Sequence, residues 1–257
     1  MSTKINSDSQ TVEQDQDRQL SSPIARRSFF KYAGATAGAT ALVLAGCSKS
    51  DSSPGMVNVG SGDAGVLNYA YALEQLEAAF YTQVRTGAFY TGSTITAAEK
   101  SILDDLYYHE VIHRDFLKAA ITAAGATPIK ALTPNFANVN FGTRAGVFGT
   151  AKAFEDLGVS AYNGAGQYIT SSTYLYIAGK IVSVEARHAA IIRDLNTENS
   201  FVGNDVITLT SANKATGDTN YAPAGSSLER SMTPSEVVAV ANTFLADGSK
   251  LDVSGIK

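Results

Sequence analysis

The 257-residue chain carries 24 acidic and 20 basic side chains and a single cysteine. A net charge of −4 excludes a basic surface for nucleic acid, and one cysteine excludes an intrachain disulfide framework. With 44% hydrophobic residues the chain has the material for one well-buried core.

Residues 1–46 read as an export signal. Arg26 and Arg27 precede Phe29 and Lys31 in ARRSFFK, and the apolar run YAGATAGATALVLAG follows. At about 15 residues, rich in Ala and Gly, that run is too short for a comfortable membrane span. A charged start, an apolar middle and small residues at the end are the pattern of a cleaved leader. ARRSFFK resembles a twin-arginine signal, with Ala25 where Ser or Thr is usual and Phe30 where Leu is usual. LAGC (44–47) resembles a bacterial lipobox, which implies cleavage before Cys47 and lipid on its thiol. The alternative is that Cys47 merely closes an uncleaved apolar run. Removal of residues 1–46 takes away five basic and four acidic side chains and leaves 15 basic and 20 acidic. Residues 47–63 (CSKSDSSPGMVNVGSGD) read as a flexible polar tether. Ser48 after the cysteine is compatible with outer-membrane sorting.

Helical patterning dominates the next segment, 64–198. The first helix is expected from Ala64 to Arg85, stopping at Gly87. The second starts at the capping box Thr96-Ala-Ala-Glu99 and ends near Gly125, with Pro128 beyond. A third is expected over Arg144 to Thr170 and a fourth over Thr173 to Asn196. Short turns within each pair predict two antiparallel hairpins. Between the pairs lies GATPIKALTPNFANVNFGT, unusually long for a compact domain and sufficient to cross the length of a four-helix bundle. The remainder, 199–257, is polar. It offers a short strand in VITLT (206–210) and a fifth short helix, 234–246, behind the capping box Thr233-Pro-Ser-Glu236. This extension is expected to pack on the bundle.

HEVIH (109–113), read alone, is a zincin signature: His109 and His113 would bind Zn²⁺ and Glu110 would activate water. The rest of the chain favours different metal chemistry. ExxH occurs twice, as Glu110–His113 and Glu185–His188, and at i, i+3 both side chains share one helix face. The other two helices each offer a glutamate followed seven residues later by a tyrosine: Glu74 and Tyr81, Glu155 and Tyr162. Two turns place each Glu and Tyr on the same face of their helix. Val184 stands before Glu185, so the first histidine of the zincin motif is not repeated. His109 then reads as a residue behind the ligands or at the surface. Glu77 competes with Glu74, whose offset to Tyr81 matches that of Glu155 to Tyr162. Tyr81 and Tyr162 either hydrogen-bond ligand carboxylates or are plain core aromatics. Asp115 and Asp156 read as solvated charges, and Arg187 and Arg193 as partners of surface acids, with bracing of a ligand carboxylate as the alternative for one of them.

One Glu from each of two helices plus ExxH from each of the other two resembles the carboxylate-bridged di-metal pattern of the ferritin-like superfamily. In pattern it is similar to rubrerythrin, and more specifically to exported bacterial ferritin-like domain proteins, some labelled desiccation-related. The resemblance covers residues 64–198. It implies an all-α, ferritin-like four-helix bundle with the long crossover between helices 2 and 3. It also implies Glu110 and Glu185 as bridging ligands, Glu74 and Glu155 as terminal ligands, and His113 and His188 as one nitrogen ligand each. Two divalent cations would neutralise four carboxylates, and the donor set suits Fe or Mn, with Zn also admissible. Bridged metals about 3.5–4 Å apart would suit peroxide or O₂ chemistry, or oxidation of Fe²⁺.

The expected protein is thus a lipid-anchored envelope protein facing the periplasm or cell exterior. It would act on a small oxidant or a metal ion, with a homodimer as one option and a storage shell disfavoured by the lipid. Twin-arginine export carries folded proteins, so that resemblance would allow a metal to be loaded in the cytoplasm before transport. No rubredoxin-like cysteine cluster is present, which removes an in-chain electron donor. A metal-free structural or desiccation-related bundle, its inward polar groups forming a hydrogen-bonded network, stands as the alternative.

Overall fold

The computed structural model describes residues 55–207 and 227–257. The expected export signal, Cys47 and the last three residues of VITLT lie outside the described residues. Among those described, β1 (Val57–Asn58) leads into α1 (Gly62–Val84), α2 (Ala88–Thr91), α3 (Ala97–Ala123), α4 (Arg144–Ala165) and α5 (Ser172–Asn196). The extension supplies α6 (Pro234–Ala241) and β2 (Leu251–Asp252).

Local chemistry sets the boundaries. α3 begins at a complete capping box, with Thr96 Oγ1 accepting from the Glu99 amide and Glu99 returning to the Thr96 amide. Thr233 and Glu236 do the same for α6, with Pro234 at its first turn. The expected third helix stops at Ala165 and passes through a 3₁₀ turn, Gly166–Tyr168. Asp63 at the start of α1 accepts from the amides of Thr170 and Ser171. It thereby fixes the entry to α5.

α1 packs along α3, and α4 along α5, so each hairpin forms one half of a four-helix bundle; α1 also touches α4. The one-turn α2 interrupts the connection from α1 to α3. The core is apolar and dense, built on Phe80, Leu103, Phe148 and Ile192. Phe80 meets Phe154 edge-on at 5.0 Å between ring centres. The crossover, residues 124–143, is held against α1 by two side chains seven residues apart. Asn68 accepts from Ile129 N and donates to Thr127 O, and Gln75 accepts from Leu132 N. Its polar backbone is therefore satisfied where it lies on the bundle.

The extension closes on the bundle through α6 against α4. Its approach is close at Gly164, where a Cβ would fall 1.7 Å from Met232 O. Met232 N donates to Ser160 O there. The tether expected through residue 63 ends sooner. Val57 and Asn58 pair in parallel with Leu251 and Asp252, and Val59 is 1% exposed. Alternating apolar residues in MVNV give that stretch a buried face and a strand partner nearly two hundred residues away. Of VITLT, Ile207 makes an isolated antiparallel bridge to Glu229. No helix among the described residues is long and apolar enough to cross a membrane.

Candidate metal centre

Each long helix turns one face toward a common interior point. α1 brings Glu74, α3 brings Glu110 and His113, α4 brings Glu155, and α5 brings Glu185 and His188. All four glutamates are 0% exposed. Most of what the helices bury elsewhere is alkyl or aromatic, so four carboxylates meeting at one point depart from what packing alone would select.

The six side chains form two overlapping groups. Glu74, Glu110, His113 and Glu185 make one; Glu110, Glu155, Glu185 and His188 make the other, and in each the donor atoms lie within 4.8 Å of one another. Glu110 and Glu185 belong to both, and each divides its two oxygens between them. Glu110 Oε2 is 3.5 Å from His113 Nδ1 while its Oε1 is 2.8 Å from His188 Nδ1. Glu185 Oε1 is 2.7 Å from His113 Nδ1 while its Oε2 is 3.4 Å from His188 Nδ1. Glu74 Oε2 and Glu155 Oε2 complete the groups, each 3.5 Å from the imidazole of its set.

These imidazole–carboxylate contacts are close enough for ion pairs but are not aligned as hydrogen bonds. Eight buried atoms, Glu74 Oε2, both oxygens of Glu110 and Glu185, Glu155 Oε2 and the Nδ1 of His113 and His188, have no hydrogen-bond partner among the described residues. Native interiors leave only a few such atoms per hundred residues, so eight at one point is an unusual concentration. These eight are the donor atoms of the two groups, and divalent cations would satisfy all of them together.

The electrostatics agree. Burial alone would lower the His113 pKa, but the Glu110, Glu185 and Glu74 carboxylates push it up to about 12. His188 is raised by the same opposition, with Glu110 and Glu155 foremost. Burial would raise Glu110, but the two imidazoles hold it down at about 2. Glu155 is pushed up to about 7, chiefly by burial. Burial, then the neighbouring Glu185, drives Glu74 well above the carboxylate range. Without metal, protons on the imidazoles and on some carboxyls therefore balance the charge. Cations would displace them.

The family model for the ferritin-like domain matches residues 62–198, more than half of the chain. The chain belongs to the ferritin-like family. No curated protein matches it. The all-α bundle is therefore a ferritin-like one, and its buried carboxylates and histidines form a cluster that could hold metal ions. Two groups of three carboxylates and one imidazole, sharing two carboxylates, suit hard or borderline cations such as Fe, Mn or Zn.

Around this ferritin-like cluster, some residues sit where their spacing suggested and others do not. Tyr81 and Tyr162 hydrogen-bond carboxylates of the cluster, one of the two roles open to them, and each does so across the bundle, not on its own helix. Tyr162 on α4 donates to Glu74 Oε1 on α1 at 2.5 Å, and Tyr81 on α1 donates to Glu155 Oε1 on α4. Each bond engages the oxygen that faces away from the cluster and leaves Oε2 for it. Glu74, not Glu77, enters the donor groups. Glu77 is nonetheless buried, and its carboxylate fills the space opposite Gly158, where a Cβ would lie 2.9 Å from Glu77 Oε1. Burial, then Glu110 and Glu185, raises its pKa well above the carboxylate range. The chain has only three histidines, and the third, His109, is in neither group. Its Nδ1 lies 2.9 Å from His188 Nε2.

Asp156 departs from the solvated charge expected of it, and Arg193 pairs with acids as expected, but from a buried position. Arg193 is 2% exposed and pairs with Asp156 at 2.6 Å and with Asp205. The pair ties α5 to α4 one residue beyond Glu155. Asp115 is exposed and pairs with Arg114, and Arg187 donates to Ser183 O on its own helix.

Proposed function

We propose that this ferritin-like protein binds two iron or manganese ions and uses them for redox chemistry on peroxide, O₂ or Fe²⁺ in the cell envelope. The observation that carries this reading is the set of eight buried, unpartnered donor atoms, arranged as two groups that share Glu110 and Glu185. Iron or manganese, when bound, would supply the one-electron steps that protein side chains lack.

The side chains have distinct tasks. Glu110 and Glu185 offer one oxygen to each metal position. Glu74 with His113 completes one position, and Glu155 with His188 completes the other. The Tyr162 and Tyr81 hydroxyls hold the outer oxygens of the terminal carboxylates and so fix which oxygen points inward. Packing around the four glutamates keeps bulk water out, which strengthens every charge interaction inside. Arg26 and Arg27 in a twin-arginine-like leader and Cys47 in a lipobox-like LAGC support export and a lipid anchor.

Elemental analysis of the protein exported by its native host tests the reading, together with an absorption spectrum and a peroxide-turnover assay. Two equivalents of iron or manganese per chain are expected, with turnover abolished by chelation. A second reading, a metal-free structural bundle, draws on one observation: protonated His113 and His188 would offset part of the carboxylate charge. Full-length exported protein without stoichiometric metal would favour that reading.

A further inference from the structure

His109, the first histidine of HEVIH, takes no part in the two donor groups. It is exposed at the surface of α3, and its ring meets that of His188 edge to edge, 5.1 Å between centres and 12° from parallel. Its Nδ1 lies 2.9 Å from His188 Nε2. The opposite ring atom, His188 Nδ1, faces Glu110, Glu155 and Glu185. An imidazole that gives its Nδ1 lone pair to a cation carries its proton on Nε2. Here that N–H meets the Nδ1 lone pair of His109. A ligating histidine commonly donates its outer N–H to a carboxylate, carbonyl or water; in this chain a second imidazole, itself at the surface, takes that place.

Among the described residues the device is present on one side only. His109 stands one residue ahead of Glu110 on α3. The corresponding residue ahead of Glu185 on α5 is Val184, which has no hydrogen-bonding side chain to offer His113.

We propose that His109 is a positioning residue that holds His188 in its Nδ1-ligating orientation and thereby makes the two metal positions unequal. The position at His188 is braced from the surface, and the one at His113 is not. This rests on the di-metal reading above.

The test is Co²⁺ titration of the full chain, followed by visible absorption, for the wild type, His109→Ala and His109→Asn. The wild type should bind two Co²⁺ in distinguishable steps. His109→Ala should weaken one step about 10–100-fold and leave the other unchanged. The Asn amide oxygen can accept from His188 Nε2–H, so His109→Asn should recover most of the loss. Nitrogen NMR supplies a readout without metal: a ¹⁵N–¹⁵N coupling across Nε2–H···Nδ1, absent in His109→Ala. Equal weakening of both steps, an unchanged titration in His109→Ala, no rescue by Asn, or no coupling in the wild type would each overturn the inference. A wild type that binds no Co²⁺ overturns the di-metal reading and this inference with it. Two bound Co²⁺ with an indifferent His109→Ala overturns the inference alone.

Discussion

Tyr162 on α4 donates a 2.5 Å hydrogen bond to Glu74 on α1, so each terminal carboxylate of the cluster is oriented from the opposite half of the bundle. Tyr162→Phe removes that donor and leaves Glu74 Oε1 unsatisfied. An orphaned acceptor of this kind costs about 1–3 kcal/mol. At about 2–4 °C per kcal/mol for a domain of this size, the melting temperature should fall by roughly 2–12 °C. Metal affinity should fall about tenfold or more. Differential scanning calorimetry and a metal titration of the variant check both.

Glu110 serves both donor groups, so its loss should empty both rather than one. Glu110→Ala is expected to retain less than one metal per chain. Chelation should lower the wild-type melting temperature by roughly 5–15 °C, from about 3–4 kcal/mol of linkage for ions held well above their dissociation constant. The same chelation should leave Glu110→Ala unmoved. Paired melts with and without chelator read the difference.

The metal-free protein should lose stability as pH rises from about 5.5 to 8.5. His113 has a folded pKa of about 12 against an ordinary 6.5. Its contribution is complete below 6.5 and fades as pH climbs toward 12. Glu155, at about 7 against 4.5, acts in the same sense and has faded by pH 7. Glu110, at about 2 against 4.5, acts oppositely: its contribution is present above 4.5 and lost as pH falls through 2. Metal affinity should rise over the same interval in which metal-free stability declines, because binding must expel protons from the imidazoles and from Glu155. Melts in chelator across the range, with proton release on Zn²⁺ addition, measure both. A flat or rising metal-free curve would contradict the charge balance described.

Arg193 bridges Asp156 and Asp205 and donates to Ser200 O. Arg193→Met should destabilise by about 3 kcal/mol, at the low end for a broken interior pair, since it leaves the partly buried Asp156 without its ion-pair partner. The double change Arg193→Met with Asp156→Leu should recover much of that loss. Denaturant unfolding of the three variants gives the coupling directly.

Much of this was legible in the sequence because it is written at helical spacing. The Thr96–Glu99 and Thr233–Glu236 boxes mark helix starts within a four-residue window, and i, i+3 spacing puts Glu and His of each ExxH on one face. The features that escaped depend on distance across the fold. Tyr81 and Tyr162 bond across helices because the donor must approach the far oxygen of a carboxylate already turned inward, which spacing along one helix does not encode. The pairing of Val57 with Leu251 joins two-residue strands at opposite ends of the domain, too short for any periodic signal. Arg193 reads as a partner of surface acids, but its burial and its pairing with Asp156 and Asp205 depend on the packing of α4 against α5 and the segment after it.

The most direct test of the central claim is anomalous diffraction from crystals of the metal-loaded protein, recorded at the metal's absorption edge. Two peaks should appear, one enclosed by Glu74, Glu110, His113 and Glu185 and the other by Glu110, Glu155, Glu185 and His188. A single peak, a peak elsewhere in the molecule, or none at these side chains would contradict it.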